Sequence, residues 1–152
     1  MDESEKPRPQ DDLTGAPARG PAAPRGALSI RTLAMPADAN PSGDIFGGWV
    51  LSQMDIAGVI AAGQRARGRV ATVAVPAMTF HLPVYVGDVL CVYADIERVG
   101  RTSISIHLEA WALRGRVGDR VRVTEGDFVF VAIDAEGRPR RVPAEPSEAV
   151  EV

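Results

Sequence analysis

The chain has 152 residues, with 17 Lys and Arg against 20 Asp and Glu, a net charge of −3, 45% apolar residues and 24% charged ones. That balance gives no basic patch for nucleic acid and no run of about eighteen apolar residues for a membrane helix, and it suits one globular domain. The single cysteine, Cys91, excludes an internal disulfide and a multi-cysteine zinc site, and agrees with a reducing, cytoplasmic setting.

Residues 1–26 carry five prolines and almost no large apolar side chains, and no apolar stretch of the secretory kind. Such a segment buries too little surface to offset its ordering entropy, so a disordered tail is expected. A folded domain is expected over 27–143 and a polar tail over 144–152. Leu28 to Leu33 reads as a first strand, ended at Met35-Pro36. Asn40-Pro41-Ser42-Gly43 is a turn, and after Asp44 and Gly47-Gly48 a helix begins that ends near Arg65 to Gly68. That helix is apolar on nearly every side, with only Ser52, Gln53, Asp55 and Gln64 polar, so it should be wrapped by other elements. The period then changes. Val70–Phe80, Val89–Val99, Thr102–Leu113 and Arg120–Asp134 read as strands at hairpin spacing, the last interrupted near Gly126. One strand, one long helix and four consecutive strands make an α+β domain, a curved antiparallel sheet of about five strands around a central helix.

The chemistry concentrates at the mouth of the helix. The first N–H groups of a helix have no internal partner and carry partial positive charge. Gly47 and Gly48 lack Cβ, so a ligand atom can reach those amides, which suits a carbonyl oxygen gaining negative charge. Asp44 just ahead could activate water or attack directly; ordinarily an Asp there is an N-cap. One acid and one oxyanion site suffice for an activated acyl group, and a thioester suits them because a thiolate leaves without protonation. Asp55 lies eleven residues on, roughly 16 Å along a helix, too far to share a proton with Asp44, and reads as a buried structural acid bonded across an interface. Ser52, one turn below Gly48, faces either a bound acyl group or its own helix backbone.

His81 and His107 sit on different strands with no Cys or carboxylate at ligand spacing, so no metal is expected. Gly100-Arg101-Thr102-Ser103 is a tight turn with a cation and two hydroxyls, able to take a phosphate, as are Arg138, Arg140 and Arg141; plain surface arginines would look the same. No nucleophile elbow, P-loop or dinucleotide fingerprint occurs.

Met35-Pro36, Asn40-x-x-Gly43-Asp44-Ile45-Phe46-Gly47-Gly48-Trp49 and Ser52-Gln53-Met54-Asp55 together resemble the bacterial YciA-type acyl-CoA thioesterases, cytosolic acyl-CoA hydrolases of the hotdog fold. The likeness runs on through Arg69-Val70-x-Thr72-Val73, Met78-Thr79-Phe80, Pro83-Val84-x-Val86-Gly87-Asp88, Gly100-x-Thr102-Ser103 and Val131-Ala132-x-Asp134-x-x-Gly137, covering roughly Leu28 to Pro143. The resemblance implies a homodimer joined sheet edge to sheet edge, commonly assembled as a trimer of dimers, with the site between subunits and the acyl chain along the helix. It implies Asp44 as general base or nucleophile, Gly47 and Gly48 as the carbonyl site, and coenzyme A contacts at Gly100, Arg101, Thr102, Ser103 and Arg138, with Asn40, Ser52 and Thr72 near the substrate. The substrate would be a short- to medium-chain acyl-CoA, with no separate cofactor, no nucleic acid and no membrane partner. His81-Leu82 stands where the family pattern has a Leu-Arg pair, and the long amino-terminal segment is extra. The alternatives are a hotdog enoyl-CoA hydratase or dehydratase, which needs a His–acid pair, and a non-catalytic acyl-CoA-binding protein.

Overall fold

The computed structural model describes residues 21, 23–115 and 118–145. The expected tails at 1–26 and 144–152 fall largely outside these residues. The order is β1 (Ala27–Leu33), a 3-10 turn at Pro36–Asp38, α1 (Gly47–Ala66), β2 (Val70–Phe80), β3 (Val89–Val99), β4 (Ser103–Leu113) and β5 (Arg120–Ala132). The strands form one antiparallel sheet in the order β1-β3-β4-β5-β2, so β1 and β2 are its edges. The α+β reading and the strand count hold. No helix among the described residues is long and apolar enough to cross a membrane.

Alternation on β4 builds the core. Ile104, Ile106, Leu108, Ala110 and Ala112 point to one face and are fully buried against the helix, with Phe128 and Phe130 stacked beside them at 6.2 Å between ring centroids. Gly126 does not interrupt β5. It pairs with Met78 and Leu108, and a Cβ there would come within 2.9 Å of the Ala77 carbonyl, so glycine lets β2 approach closely. The irregularity lies instead opposite Ala110 and Trp111, where the ladder skips Val123. Pro76 falls in a break of the β2–β5 register, tolerable because β2 is an edge.

The helix is covered on one face only. Val50, Met54, Ala57, Gly58, Ala62 and Ala66 are buried against the sheet, whereas Leu51, Ile56, Val59 and Ile60 remain 37–46% exposed. The expected wrapping is therefore one-sided within a single chain, because the five strands do not close around the helix. Its carboxyl end is a left-handed cap at Arg67, φ 52°, with the Gly68 N–H donating to the Gly63 carbonyl at 3.1 Å. Arg140 Nη2 donates to the Ala66 carbonyl at 2.7 Å and satisfies another orphan acceptor.

Gly58 seats the helix. A Cβ on it would stand 2.9 Å from Phe130 Cε2 and 3.0 Å from Leu108 Cδ1, while one on Gly63 would meet only the Gly68 carbonyl at 3.4 Å. Replacing a helical Gly by Ala gains about 1 kcal/mol of propensity, and forcing a methyl into a packed core costs about 1–3 kcal/mol. Gly63→Ala should therefore leave thermal stability equal or raised and Gly58→Ala should lower it, as read by melting temperature.

Candidate active site at the amino end of the helix

The loop before the helix is tied down at almost every residue. Asn40 Oδ1 accepts from the N–H of Ser42 at 2.9 Å and of Asp44 at 3.1 Å, an Asx turn. The Asn40 N–H donates to the Asp44 carbonyl at 2.7 Å, and the Gly43 N–H to the Asn40 carbonyl at 3.0 Å, with Gly43 at φ 88°. Beyond it the Ile45 N–H donates to Val84 at 2.9 Å and the Phe46 N–H to Asp38 at 3.1 Å, and Asp44 bridges Tyr85. Asp44 is half-buried and its backbone is held from both sides. The Asn40 carbonyl oxygen is thus committed to positioning the loop.

Asp44 is not the N-cap. That position belongs to Phe46, which makes no side-chain cap hydrogen bond, and the first turn holds no acid. The acid is two residues too early to reach the helix amides as a cap. Gly47 and Gly48 keep their N–H groups without a partner among the described residues. Neither glycine has positive φ. A Cβ on Gly48 would meet nothing within 4 Å, and one on Gly47 only the Phe80 ring at 3.4 Å. Each costs about 1 kcal/mol of helix propensity relative to Ala, and the chain's own packing demands neither.

Beside these amides lies a largely apolar cleft of about 230 Å³, walled by Ile45, Gly47, Val50, Phe80, His81 and Thr124 among others. Neither Asp44 nor Gly48 lines it; Gly48 falls on the helix face that carries the exposed Ser52, Ile56 and Ile60, at four-residue spacing. The Ser52 side chain is exposed and makes no hydrogen bond among the described residues, so its hydroxyl is not spent on its own helix. Asp55 is half-buried rather than buried, and accepts from the Thr72 hydroxyl at 2.6 Å. Within the chain it ties the helix to the edge strand through Thr72, rather than being buried at an interface as expected.

The other expected contacts gather at the far end of the molecule. In the turn Gly100 to Ser103 the Gly100 N–H donates to the Ser103 carbonyl at 2.8 Å. Ala132 donates to the Thr102 carbonyl and Val142 to the Arg101 carbonyl, both at 2.9 Å. Arg138 belongs to the adjoining turn, its N–H donating to Asp134 Oδ1 at 2.9 Å. Arg101 and Thr102 thus lie on one turn and Arg138 on the neighbouring one, with Arg101 and Arg138 exposed. Arg140 does not join them, being bonded to the Ala66 and Ile133 carbonyls. This turn sits by the carboxyl end of α1, and the 20-residue helix separates it from Asp44 by about 30 Å.

One grouping goes against the sequence reading. His107, 9% exposed, points Nδ1 at Asp127 Oδ1, 2.8 Å, and Nε2 at Glu109 Oε2, 3.3 Å, and Glu125 Oε2, 3.4 Å. His81 Nε2 meets Glu125 Oε1 at 3.1 Å. The ligand-type atoms of His107, Glu109 and Glu125 lie within 4.8 Å of one another, so carboxylates do stand at ligand spacing. The register that pairs His107 with Asp127 and Glu109 with Glu125 creates this, on the face away from the helix. The outward set of β4, with its His and Glu, was the signal available; the partners lie on another strand. Glu109, 3% exposed, also accepts from Trp111 Nε1 at 3.0 Å, and Glu125 from Arg122 at 3.1 Å, so the cluster is countered from within.

One long helix laid on a five-stranded antiparallel sheet, with a bare helix end beside a fixed carboxylate, defines a hotdog fold; the hexameric hotdog fold thioesterase of Campylobacter jejuni superposes with a TM-score of 0.74 at 36% identity, over 78% of this chain and 91% of that one. A family model of the thioesterase superfamily matches residues 42–119. The acyl-CoA thioester hydrolase YciA of Escherichia coli (strain K12) is 54% identical over 125 residues, 80% of this chain and 95% of that one. An aspartate-to-alanine variant of HI0827, a hexameric broad specificity acyl-coenzyme A thioesterase, has a TM-score of 0.78 at 49% identity, over 82% of this chain and 91% of that one. The chain belongs to the thioesterase superfamily.

Removing the imidazole at 107 leaves the buried Glu109 carboxylate without its Nε2 partner at 3.3 Å. Losing a hydrogen bond to a buried carboxylate costs about 1.5–3 kcal/mol. His107→Ala should therefore lower the melting temperature by about 3–12 °C, at 2–4 °C per kcal/mol for a chain of this size. A change within 1 °C would mean that the cluster carries no net stabilisation.

Proposed function

We propose that this protein hydrolyses short- to medium-chain acyl-CoA thioesters to free acid and coenzyme A. The observation that carries the reading is the pair of unpartnered glycine amides beside a backbone-locked Asp44, at a helix end that no side chain caps. The thioester carbonyl oxygen accepts from the Gly47 and Gly48 N–H groups, where charge growing on it is stabilised. The Asp44 carboxylate takes a proton from water as the water oxygen adds to the carbonyl carbon, or itself adds as nucleophile. The carbon–sulfur bond then breaks and coenzyme A leaves as thiolate, which needs no acid. No cofactor beyond the coenzyme A of the substrate enters, and a cytoplasmic setting suits a core that carries Cys91 as a free thiol.

The site is composite. Asp44 and the Gly100 to Ser103 turn stand at opposite ends of α1. β2 is an edge strand that exposes Val73, Val75 and Phe80, next to the exposed Leu51, Ile56, Val59 and Ile60 of the helix. Antiparallel pairing of β2 with β2 of a second copy covers both surfaces. It also brings that copy's Gly100 to Ser103 turn and Arg138 toward the first copy's Asp44, because the ends of the two strands exchange. The nucleotide of coenzyme A then meets one copy's arginines while its thioester meets the other's Asp44, and the acyl chain runs along the helix past Ser52. Such dimers stack as a trimer of dimers, in keeping with the hexameric solved relatives.

His81 in the cleft wall, paired to Glu125, favours a second reading, a hydratase of enoyl thioesters using that His–acid pair. Turnover of an enoyl-CoA without thiol release would select it over hydrolysis.

Asp44→Ala should keep the fold and cut thiol release from acyl-CoA about a hundredfold or more, the scale of a lost general base. An unchanged rate would sink the role given to Asp44. Gly48→Ala should keep or raise the melting temperature, since its methyl enters open space in the chain, yet slow thiol release by crowding the carbonyl.

A further inference from the structure

Thioester hydrolysis at the helix end leaves one group of side chains unused, on the opposite face of the sheet. His107 and Glu109 of β4 and Glu125 of β5 each bring one nitrogen or oxygen within 4.8 Å of the others. His107 Nε2 is 3.3 Å from Glu109 Oε2 and 3.4 Å from Glu125 Oε2. Both separations exceed an ordinary N–H···O bond. They match the spacing of ligands on one zinc ion, because tetrahedral bonds of about 2.0–2.1 Å set neighbouring ligand atoms about 3.3–3.4 Å apart. The other atoms of the three side chains are held by neighbours. His107 Nδ1 meets Asp127 Oδ1 at 2.8 Å, the tautomer that leaves the Nε2 lone pair free. Glu109 Oε1 accepts from Trp111 Nε1 at 3.0 Å and from the Arg25 N–H at 3.3 Å, and Glu125 Oε1 faces His81 Nε2 at 3.1 Å. Glu109 is 3% exposed, yet its Oε2 has no other polar partner among the described residues. Buried carboxylates are paired or bound to metal. Arg122 Nη1 also stands 3.1 Å from Glu125 Oε2 and offsets one charge. Glu109, Glu125 and Asp127 supply three carboxylates, so with neutral imidazoles the charge left over is that of a divalent cation. A second grouping, on the Nδ1 side with Glu97 and Asp127, is spent: Glu97 is exposed and pairs with Arg25, and Asp127 takes the Nδ1 proton.

We infer that His107 Nε2, Glu109 Oε2 and Glu125 Oε2 bind a first-row divalent cation, zinc by preference, with water completing the tetrahedron. The imidazole selects against magnesium and calcium, which take oxygen ligands. Glu125, with 28% of its side chain exposed, gives the ion and its water access from solvent. The site lies on the face away from the helix, so the ion takes no part in cleaving the thioester. Its role is structural. It joins β4 to β5 across the paired positions Glu109 and Glu125 and replaces long contacts by bonds to metal.

The test uses the full, untagged chain, stripped by a chelator and titrated calorimetrically with zinc chloride. One equivalent per chain should bind, and zinc at about a hundred times its Kd should raise the melting temperature by about 5–11 °C. Magnesium chloride should do neither. Glu109→Gln should weaken zinc about a hundredfold or more, and Asp127→Asn about ten- to a hundredfold, the scale of a lost outer partner. X-ray absorption of the zinc complex should show nitrogen and oxygen at about 2.0–2.1 Å and no sulfur at about 2.3 Å, which separates this site from Cys91. If Glu109→Gln does not fold, Glu125→Gln reads the same loss. Absence of zinc binding overturns the inference, as does binding that survives both glutamine variants or that shows sulfur. Thiol release from acyl-CoA, measured well below the melting temperature, should be equal with and without zinc. A zinc-dependent rate would overturn the structural role, whereas loss of the zinc site alone leaves the hydrolase reading standing.

Discussion

Where the amino end of α1 lies depends on how far along its axis the helix is held, and a single close approach sets that. Gly58 sits against the Phe130 ring and Leu108, with no room for a methyl group. Interiors are packed to crystal density, so such a contact admits one axial position and resists sliding. Phe130 is in turn held by Phe128 and by the pairing of β4 with β5. Ser29 on β1 adds a hydroxyl bond to the Ala57 carbonyl at 2.8 Å. From that seat the helix delivers Gly47 and Gly48 beside the end of β2 and the segment Leu82 to Val84.

The loop bearing Asp44 holds a carboxylate in place without consuming its side chain. Capping the helix would have consumed it. Instead backbone bonds and the Asn40 carbonyl hold the loop, and the helix starts at a residue whose side chain offers no acceptor. Both acid and amides are left free, at the expense of a weaker helix start. Backbone-locked loops of this kind keep a reacting group in place without spending its side chain.

The sheet presents two unlike faces. One is apolar and carries the helix. The other gathers His107, Glu109, Glu125 and Asp127 with Arg25, whose guanidinium pairs with Asp95 at 2.6 Å and with Glu97. Those carboxylates raise the pKa of Arg25, the hydrogen bond to Asp95 contributing most. Polar order on the outer face and apolar exposure at β2 and along the helix divide the surface by partner. The apolar edge suits another copy of the same chain, whereas the outer face pairs most of its charges within the chain.

Much of the architecture was legible in the residues. Clean alternation on β4 specifies which face is buried, since a strand's side chains alternate sides whatever it pairs with. Asn40, Gly43, Gly47 and Gly48 announce a turn and a bare helix end because their backbone preferences act locally. What no local rule could supply were facts about pairs far apart in the chain. Gly126 looked like a break and is a close approach to β2; carboxylates gather around His107 only through strand register; Thr124 looked like any strand threonine until its hydroxyl was found buried and alone. Likewise, a helix greasy on all sides signals full burial but not by whom, and one chain covers half of it. By itself the sequence determined the elements, their inward faces and the acid beside the amides, because propensity and periodicity reside in neighbouring residues. Only the tertiary structure decided register, the cleft and the separation of Asp44 from the Gly100 to Ser103 turn, because distances between remote residues come from packing.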